Sequence, residues 1–163
     1  MRVQAIGDAA RERGDEVTAR GAYLRAAKYL TLPLFLALAT DRRSTADQRE
    51  LYRAMNRLWT AAARRFGFTP VRIPYGRSHL PGWFLRPAGP VRPRRTIILN
   101  NGNDAQNVDL YAWGGRAAIE RGWNALIFEG PGQGAMWFER GIPFRPDWEH
   151  VVTPIVAWLA RRP

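Results

Sequence analysis

Two apolar runs, "RTIILNNG" at 95–102 and "WNALIFEG" at 123–130, constrain this chain more than any other feature. Each is continuous rather than alternating, the pattern of a strand buried on both faces, and each runs directly into a turn of glycine and polar residues. Between them a helical stretch extends from about Val108 to Arg121 and is closed by Gly122. A further helix starts near Asp147 and passes through Val151, Ile155, Trp158 and Leu159 toward Pro163. Strand, helix, strand, helix in that order argues for a parallel sheet with right-handed crossovers.

Upstream the period changes twice. "PVRIPY" and "LPGWFLRP" are short strand-type runs separated by "GRSH", which predicts an antiparallel hairpin around Gly76. Before Phe68 the spacing is helical. Ala22, Ala26, Tyr29 and Leu30 share a face of a helix from Thr18 to about Ala39, in which Pro33 predicts a bend or a second helix start. Leu51, Met55, Leu58, Trp59 and Ala62 share a face of another, running from Thr45, a candidate N-cap, to Arg65, with Gly67 as its stop. The fold class is therefore α/β: a helical segment over residues 1–66, then an antiparallel hairpin and parallel strands with crossover helices over 67–163.

A chain of 163 residues that is 46% apolar and carries seven tryptophans has enough large side chains for a core. Its net charge of +11 raises the question of nucleic acid, yet the 25 basic residues include one lysine and form no long block. The densest patch, Arg92, Arg94 and Arg95, lies among prolines in a loop, so the charge reads as solvated surface rather than a phosphate track. No nucleic-acid partner is expected. Cysteine is absent, which removes disulfides and thiolate chemistry and is compatible with the cytoplasm, the expected location. "YLTLPLFLALA" at 29–39 falls short of the roughly 20 apolar residues that a bilayer span takes, so it predicts a buried helix and no membrane partner. Two distant histidines and no cysteine offer no metal-ligand cluster, and no cofactor motif is present.

The chemistry should lie in the two turns after the buried strands, "NNGND" at 100–104 and "EGPGQG" at 129–134, because open α/β sheets bind ligands at the carboxyl edge of their strands. Neither is a phosphate cradle. Gly130, Gly132 and Gly134 lack the Walker and dinucleotide spacings, no Lys, Ser or Thr follows, and Pro131 removes a donor.

"IPYGRSHLPGWFLRP", "ILNNGND", "IFEGPGQG" and "FRPDWEHVVTPIVAWL" together resemble the first half of an α/β-hydrolase. The likeness is to the group that includes the C–C bond hydrolase acting on 2,6-dihydroxypseudooxynicotine, polyketide-shortening pigment hydrolases and dipeptidyl aminopeptidase or acylaminoacyl peptidase proteins. It extends over residues 18–163, since such proteins carry a helical region like "ARGAYLRAAKYL" before the core. The resemblance implies a serine hydrolase of esters, amides or activated C–C bonds of a small-molecule substrate. It implies an oxyanion turn at Gly102 with the donor N–H at Asn103, a pocket formed by Asp104, Glu129, Gly130 and Trp137, and a lid or homodimer contact in residues 1–66. The alternative for "NNGND" is a plain strand-to-helix turn with Asn and Asp as caps. Glu129 stands where the family more usually has Asp, and structural service is its other reading; Phe138 and Phe144 are candidates for pocket or core.

The triad is what the sequence does not supply. The serines are Ser44, in a polar stretch before a helix, and Ser78, in "GRSHL", where Leu80 replaces the closing glycine of a nucleophile elbow. His79 adjoins Ser78, but neighbours along a strand face opposite ways, and His150 lies near a helix start. The chain reads as truncated before the elbow, inactive by itself and left with an open, aggregation-prone sheet edge, or else as a non-catalytic binding or dimerisation module.

Overall fold

The computed structural model describes residues 2–40 and 45–162 and divides into two compact units, Met1–Phe68 and Thr69–Pro163. Ser44 and Pro163 lie outside the described residues, as does the side chain of Thr45.

The first unit consists of three helices, α1 (Arg2–Glu12), α2 (Glu16–Thr40) and α3 (Thr45–Arg65). On α2 the buried positions are mostly alanine: Ala19, Ala22, Ala26, Ala27 and Ala37, with Tyr23 and Leu34. Helix α3 packs on α2 with a bulkier buried face, including Tyr52, Met55 and Trp59, while Ala22 and Tyr23 of α2 lie against Gly7 of α1. Asp15 caps α2 by accepting from the Thr18 N–H at 3.0 Å, and the Arg65 guanidinium reaches Glu16 at 2.9 Å. The second helix start predicted as one alternative at Pro33 is corrected, because α2 is one helix through that residue. Only the donor owed to the Tyr29 carbonyl is lost, and Tyr29 lies on an exposed face. Sequence reading also missed α1, whose buried positions are the small residues Gly7 and Ala10.

The second unit is built on a four-stranded sheet in the order β1-β2-β4-β3, with β1 (Thr69–Tyr75), β2 (Ser78–Leu85), β3 (Thr96–Leu99) and β4 (Asn124–Phe128). The hairpin β1–β2 is antiparallel with Tyr75 opposite Ser78, β2 pairs antiparallel with β4, and β3 pairs parallel with β4. Gly82 lies opposite Phe128, and a Cβ there would stand 2.5 Å from the Ile127 carbonyl oxygen, so this crossing point excludes a side chain. All five residues of β4 are buried. β3, expected to be buried on both faces, is half-buried with Thr96 exposed, because it has a neighbour on one side only among the described residues.

Between β3 and β4 run α4 (Asn107–Leu110), a π-helical turn (Tyr111–Gly115) and α5 (Arg116–Glu120), where the sequence predicts one regular helix. The wide turn contains Gly114 and Gly115, which lie against Leu99 and Leu85 with no room for a Cβ at normal distance. A short helix, α6 (Gly134–Phe138), follows β4, and α7 (Glu149–Leu159) closes the unit. Val71, Ile73, Leu80, Phe84, Leu126 and Phe128 of the sheet pack with Met136, Val151 and Ile155 into the core. Among the described residues no helix is long and apolar enough to cross a membrane.

Candidate functional site

Parallel pairing of β3 with β4, Leu99 opposite Ile127, delivers the turns at 100–104 and 129–134 to the same edge of the sheet. Gln133 joins them. Its Nε2 donates to the Asn101 carbonyl at 2.8 Å and to the Gly102 carbonyl at 3.2 Å, while its Oε1 accepts from the Gly130 N–H at 2.9 Å. The side chain is almost wholly buried, so the bonds to Asn101 and Gly130 are shielded from water and the bond to the exposed Gly102 is shielded in part.

Glu129 is the second organiser. Its Oε1 accepts from Asn107 Nδ2 at 2.9 Å, at the start of α4, and its Oε2 accepts from the Ala135 N–H at 2.8 Å, in the first turn of α6. Gly134 has φ of 43°, and a Cβ on it would collide with the Glu129 carboxylate, so only glycine lets the chain turn over that group. The turn before α4 is held in addition by Asn101 Nδ2 donating to the Ala105 carbonyl and by the Gln106 N–H donating to Asp109 Oδ2 at 2.8 Å. On the opposite flank Trp148 Nε1 donates to Asn100 Oδ1 at 3.1 Å, and its ring stacks on Phe144 with centroids 4.8 Å apart. Trp148 also lies against Gly130, where a Cβ would come within 2.7 Å of it.

Held from behind in this way, Gly102, Asn103 and Asp104 face solvent. Asn103 Nδ2 donates to Asp104 Oδ1 at 3.0 Å, but the Asn103 backbone N–H makes no hydrogen bond among the described residues. A fixed turn with an unengaged N–H at the carboxyl edge of a sheet is chemically suited to receive an oxyanion. Gly130 is buried within the network, Trp137 is 38% exposed on α6 and takes no part in it, Phe138 is buried, and Phe144 is half exposed beside Trp148. The sequence reading did not single out Gln133, Asn107 or Trp148, which do most of the positioning. A polar residue set between two glycines, as Gln133 is, was the available signal.

Ser78 and His79 share no hydrogen bond among the described residues; Arg140 Nη1 donates to Ser78 Oγ at 3.1 Å, and both ring nitrogens of His79 face guanidinium groups. Burial, then Arg140 and Arg72, push the His79 pKa below the usual imidazole value. His150 is exposed, 3.7 Å from Asp147. Asp147 is held to about 2, chiefly by the hydrogen bonds from Arg145, whose Nη1 also donates to Tyr75 Oη at 2.7 Å and ties the approach to α7 onto β1. No group of three or more His, Cys, Asp or Glu side chains is placed to hold a metal among the described residues.

Helices flanking a mixed sheet, with both glycine turns at its carboxyl edge, define an α/β-hydrolase fold, and the chain belongs to that superfamily. No family model matches it. It is 35% identical over 168 residues to the alpha/beta hydrolase psoB of Aspergillus fumigatus, covering 97% of this chain and 37% of that protein. To the hydrolase acrC of Aspergillus aculeatus it is 32% identical over 175 residues, 96% of this chain and 40% of the relative. To the 20-hydroxy-prefusarin hydrolase of Gibberella moniliformis it is 32% identical over 167 residues, 97% and 39%. The crystal structure of the 2,6-dihydroxy-pseudo-oxynicotine hydrolase superposes with a TM-score of 0.83 over 99% of this chain and 44% of that chain; at 18% identity this is a likeness of fold. The chain spans about two-fifths of the length of these relatives.

Proposed function

We propose that these 163 residues are part of a serine-type α/β-hydrolase that cleaves an ester, amide or activated C–C bond of a small molecule. The observation that carries this reading is the Gly102–Asn103 turn, tied through Gln133 to the loop after β4 and presenting an unengaged N–H. In the reaction the Asn103 N–H donates to the oxygen that gains negative charge as the carbonyl is attacked. Such a preorganised donor contributes about 3 kcal/mol to lowering the barrier. Asp104 and Trp137 border the substrate, and Glu129 and Gly130 shape the wall behind it. Nucleophile, acid and histidine come from elsewhere in the longer enzyme, so this chain is inactive by itself. It works in the cytoplasm without cofactor, with residues 1–66 as lid or dimer contact and 67–163 as half of the core.

The test joins residues 1–163 to the remaining portion of the psoB hydrolase and measures fluorophosphonate labelling and ester turnover. Asn103→Pro, which deletes the N–H, should lower kcat by about 10²–10³, whereas Asn103→Ala, which keeps it, should stay within a few-fold of wild type. Labelling of the 163-residue chain alone, or a proline variant as fast as wild type, would overturn the assignment. A second reading, a non-catalytic binding or dimerisation module, is favoured by the exposed apolar residues Tyr29, Leu32, Phe35 and Leu36 on α2. Under it, sedimentation would show a concentration-dependent dimer while the joined enzyme stays unlabelled.

A further inference from the structure

The tip of the β1–β2 hairpin brings together positive groups with an unresolved hydrogen-bonding conflict. Arg72, on β1, and His79, on β2, are diagonal neighbours across the strand pair, since Pro74 lies opposite His79 and Arg72 opposite Pro81. Arg72 Nη2 stands 3.1 Å from His79 Nδ1. From the other side Arg140, just beyond α6, places Nη2 at 2.8 Å from His79 Nε2. Arg140 Nη1 donates to the His79 carbonyl at 2.7 Å and to Ser78 Oγ at 3.1 Å, which fixes that guanidinium in place.

A neutral imidazole has one accepting nitrogen, and an imidazolium has none, whereas guanidinium groups only donate. Both ring nitrogens face such donors, so in either tautomer one contact sets N–H against N–H. Arg140 is the better anchored and closer partner, which assigns Nε2 as acceptor and leaves Nδ1–H pointing at Arg72. The charged groups that face the ring are Arg140 and Arg72, and no carboxylate acts on it among the described residues. Two opposed donors at one point, one from each strand of the hairpin, are what an acceptor-only ligand satisfies.

We propose that Arg72 and His79, with the ring held in place by Arg140, form a site for a tetrahedral dianion of the phosphate class. One anion oxygen accepts from His79 Nδ1–H and a second from the Arg72 guanidinium, converting the opposed contact into two charge-assisted bonds. Bound negative charge also favours the protonated ring, so occupancy should raise the His79 pKa back toward the ordinary imidazole value. The site is separate from the Gly102–Asn103 turn and does not depend on the hydrolase reading.

The probe is inorganic phosphate, titrated into the full 163-residue chain at pH 7.5 against sodium chloride of matched ionic strength. The expected result is a saturable rise in Tm, about 3–5 °C at a tenfold excess over the dissociation constant, absent with chloride. In histidine ring ¹⁵N spectra His79 should shift and titrate at higher pH with phosphate, while His150, the only other histidine, should stay where it was. Arg72→Gln, an exposed position on the sheet edge, should abolish both effects, and Arg140→Gln, which removes the group that holds the ring, should weaken them. The proposal is overturned if phosphate acts no differently from chloride, if Arg72→Gln retains the same saturable rise, or if both histidines shift alike.

Discussion

Replacing Glu129 with glutamine keeps the size of the side chain and changes one oxygen into a donor. Both carboxylate oxygens are accepting, one from Asn107 Nδ2 at 2.9 Å and one from the Ala135 N–H at 2.8 Å, so the new amide oxygen can stay with Ala135 while its nitrogen meets a donor at Asn107, unless Asn107 turns its own amide to offer the Oδ1 that otherwise has no partner among the described residues. A buried hydrogen bond to a charged group contributes about 1.5–3 kcal/mol and a neutral one about 0.5–1.5 kcal/mol, so Glu129→Gln should lose about 1–3 kcal/mol, the smaller loss applying where Asn107 turns to accept. The companion change Asn107→Asp supplies an acceptor to the nitrogen of the new amide, while the amide oxygen continues to accept from Ala135, so the double variant should recover most of that loss. Asn107→Asp alone, which sets two carboxylates face to face, should be destabilising. Urea unfolding of the four proteins, followed by tryptophan fluorescence and by far-UV circular dichroism, gives the coupling energy, expected to exceed about 1.5 kcal/mol in the favourable direction. A Glu129→Gln variant within about 0.5 kcal/mol of wild type, or a double variant no better than the sum of the singles, would show that the carboxylate does not organise the two helix starts.

Two further outcomes follow from the same unit. Gly134→Ala combines a left-handed backbone with a Cβ driven into the Glu129 carboxylate and should cost more than about 2 kcal/mol in urea unfolding; a change below about 1 kcal/mol would contradict the geometry. Asp147 titrates at about 2, below its ordinary 3.8, so its stabilising effect is complete above pH 3.8 and disappears as pH falls through 2. Acid unfolding of Asp147→Asn should therefore be less steep than wild type in that window, and equal steepness would count against the Arg145–Asp147 pair.

The strands and their glycine turns were legible because β4 and β3 are continuous apolar runs and the hairpin turns at Gly76. A run of isoleucines does not say whether a strand has one neighbour or two, and β3, read as buried, is an edge among the described residues. Helix α1 escaped notice because its buried positions, Gly7 and Ala10, add little to an apolar pattern. The turn at 100–104 was legible at the site, but its supports were not. Gln133 lies 31 residues from Gly102 and Asn107 lies 22 from Glu129, and a pairing over such separations leaves no trace in local spacing. Pro33 starts no second helix because a proline's missing donor is cheap on a solvent-facing side of a helix.

The tie made by Gln133 has one more consequence. The separation between the two loops is set by the bond lengths of a single side chain reaching from one backbone to the other, in the manner of a ruler. Substitutions that reshape the core around Ile73, Leu126 or Ile155 will change how firmly the unit stands, yet the width of the opening will follow the length of the side chain at position 133. Shortening it by one methylene, in Gln133→Asn, would redraw the mouth of the site without touching the core.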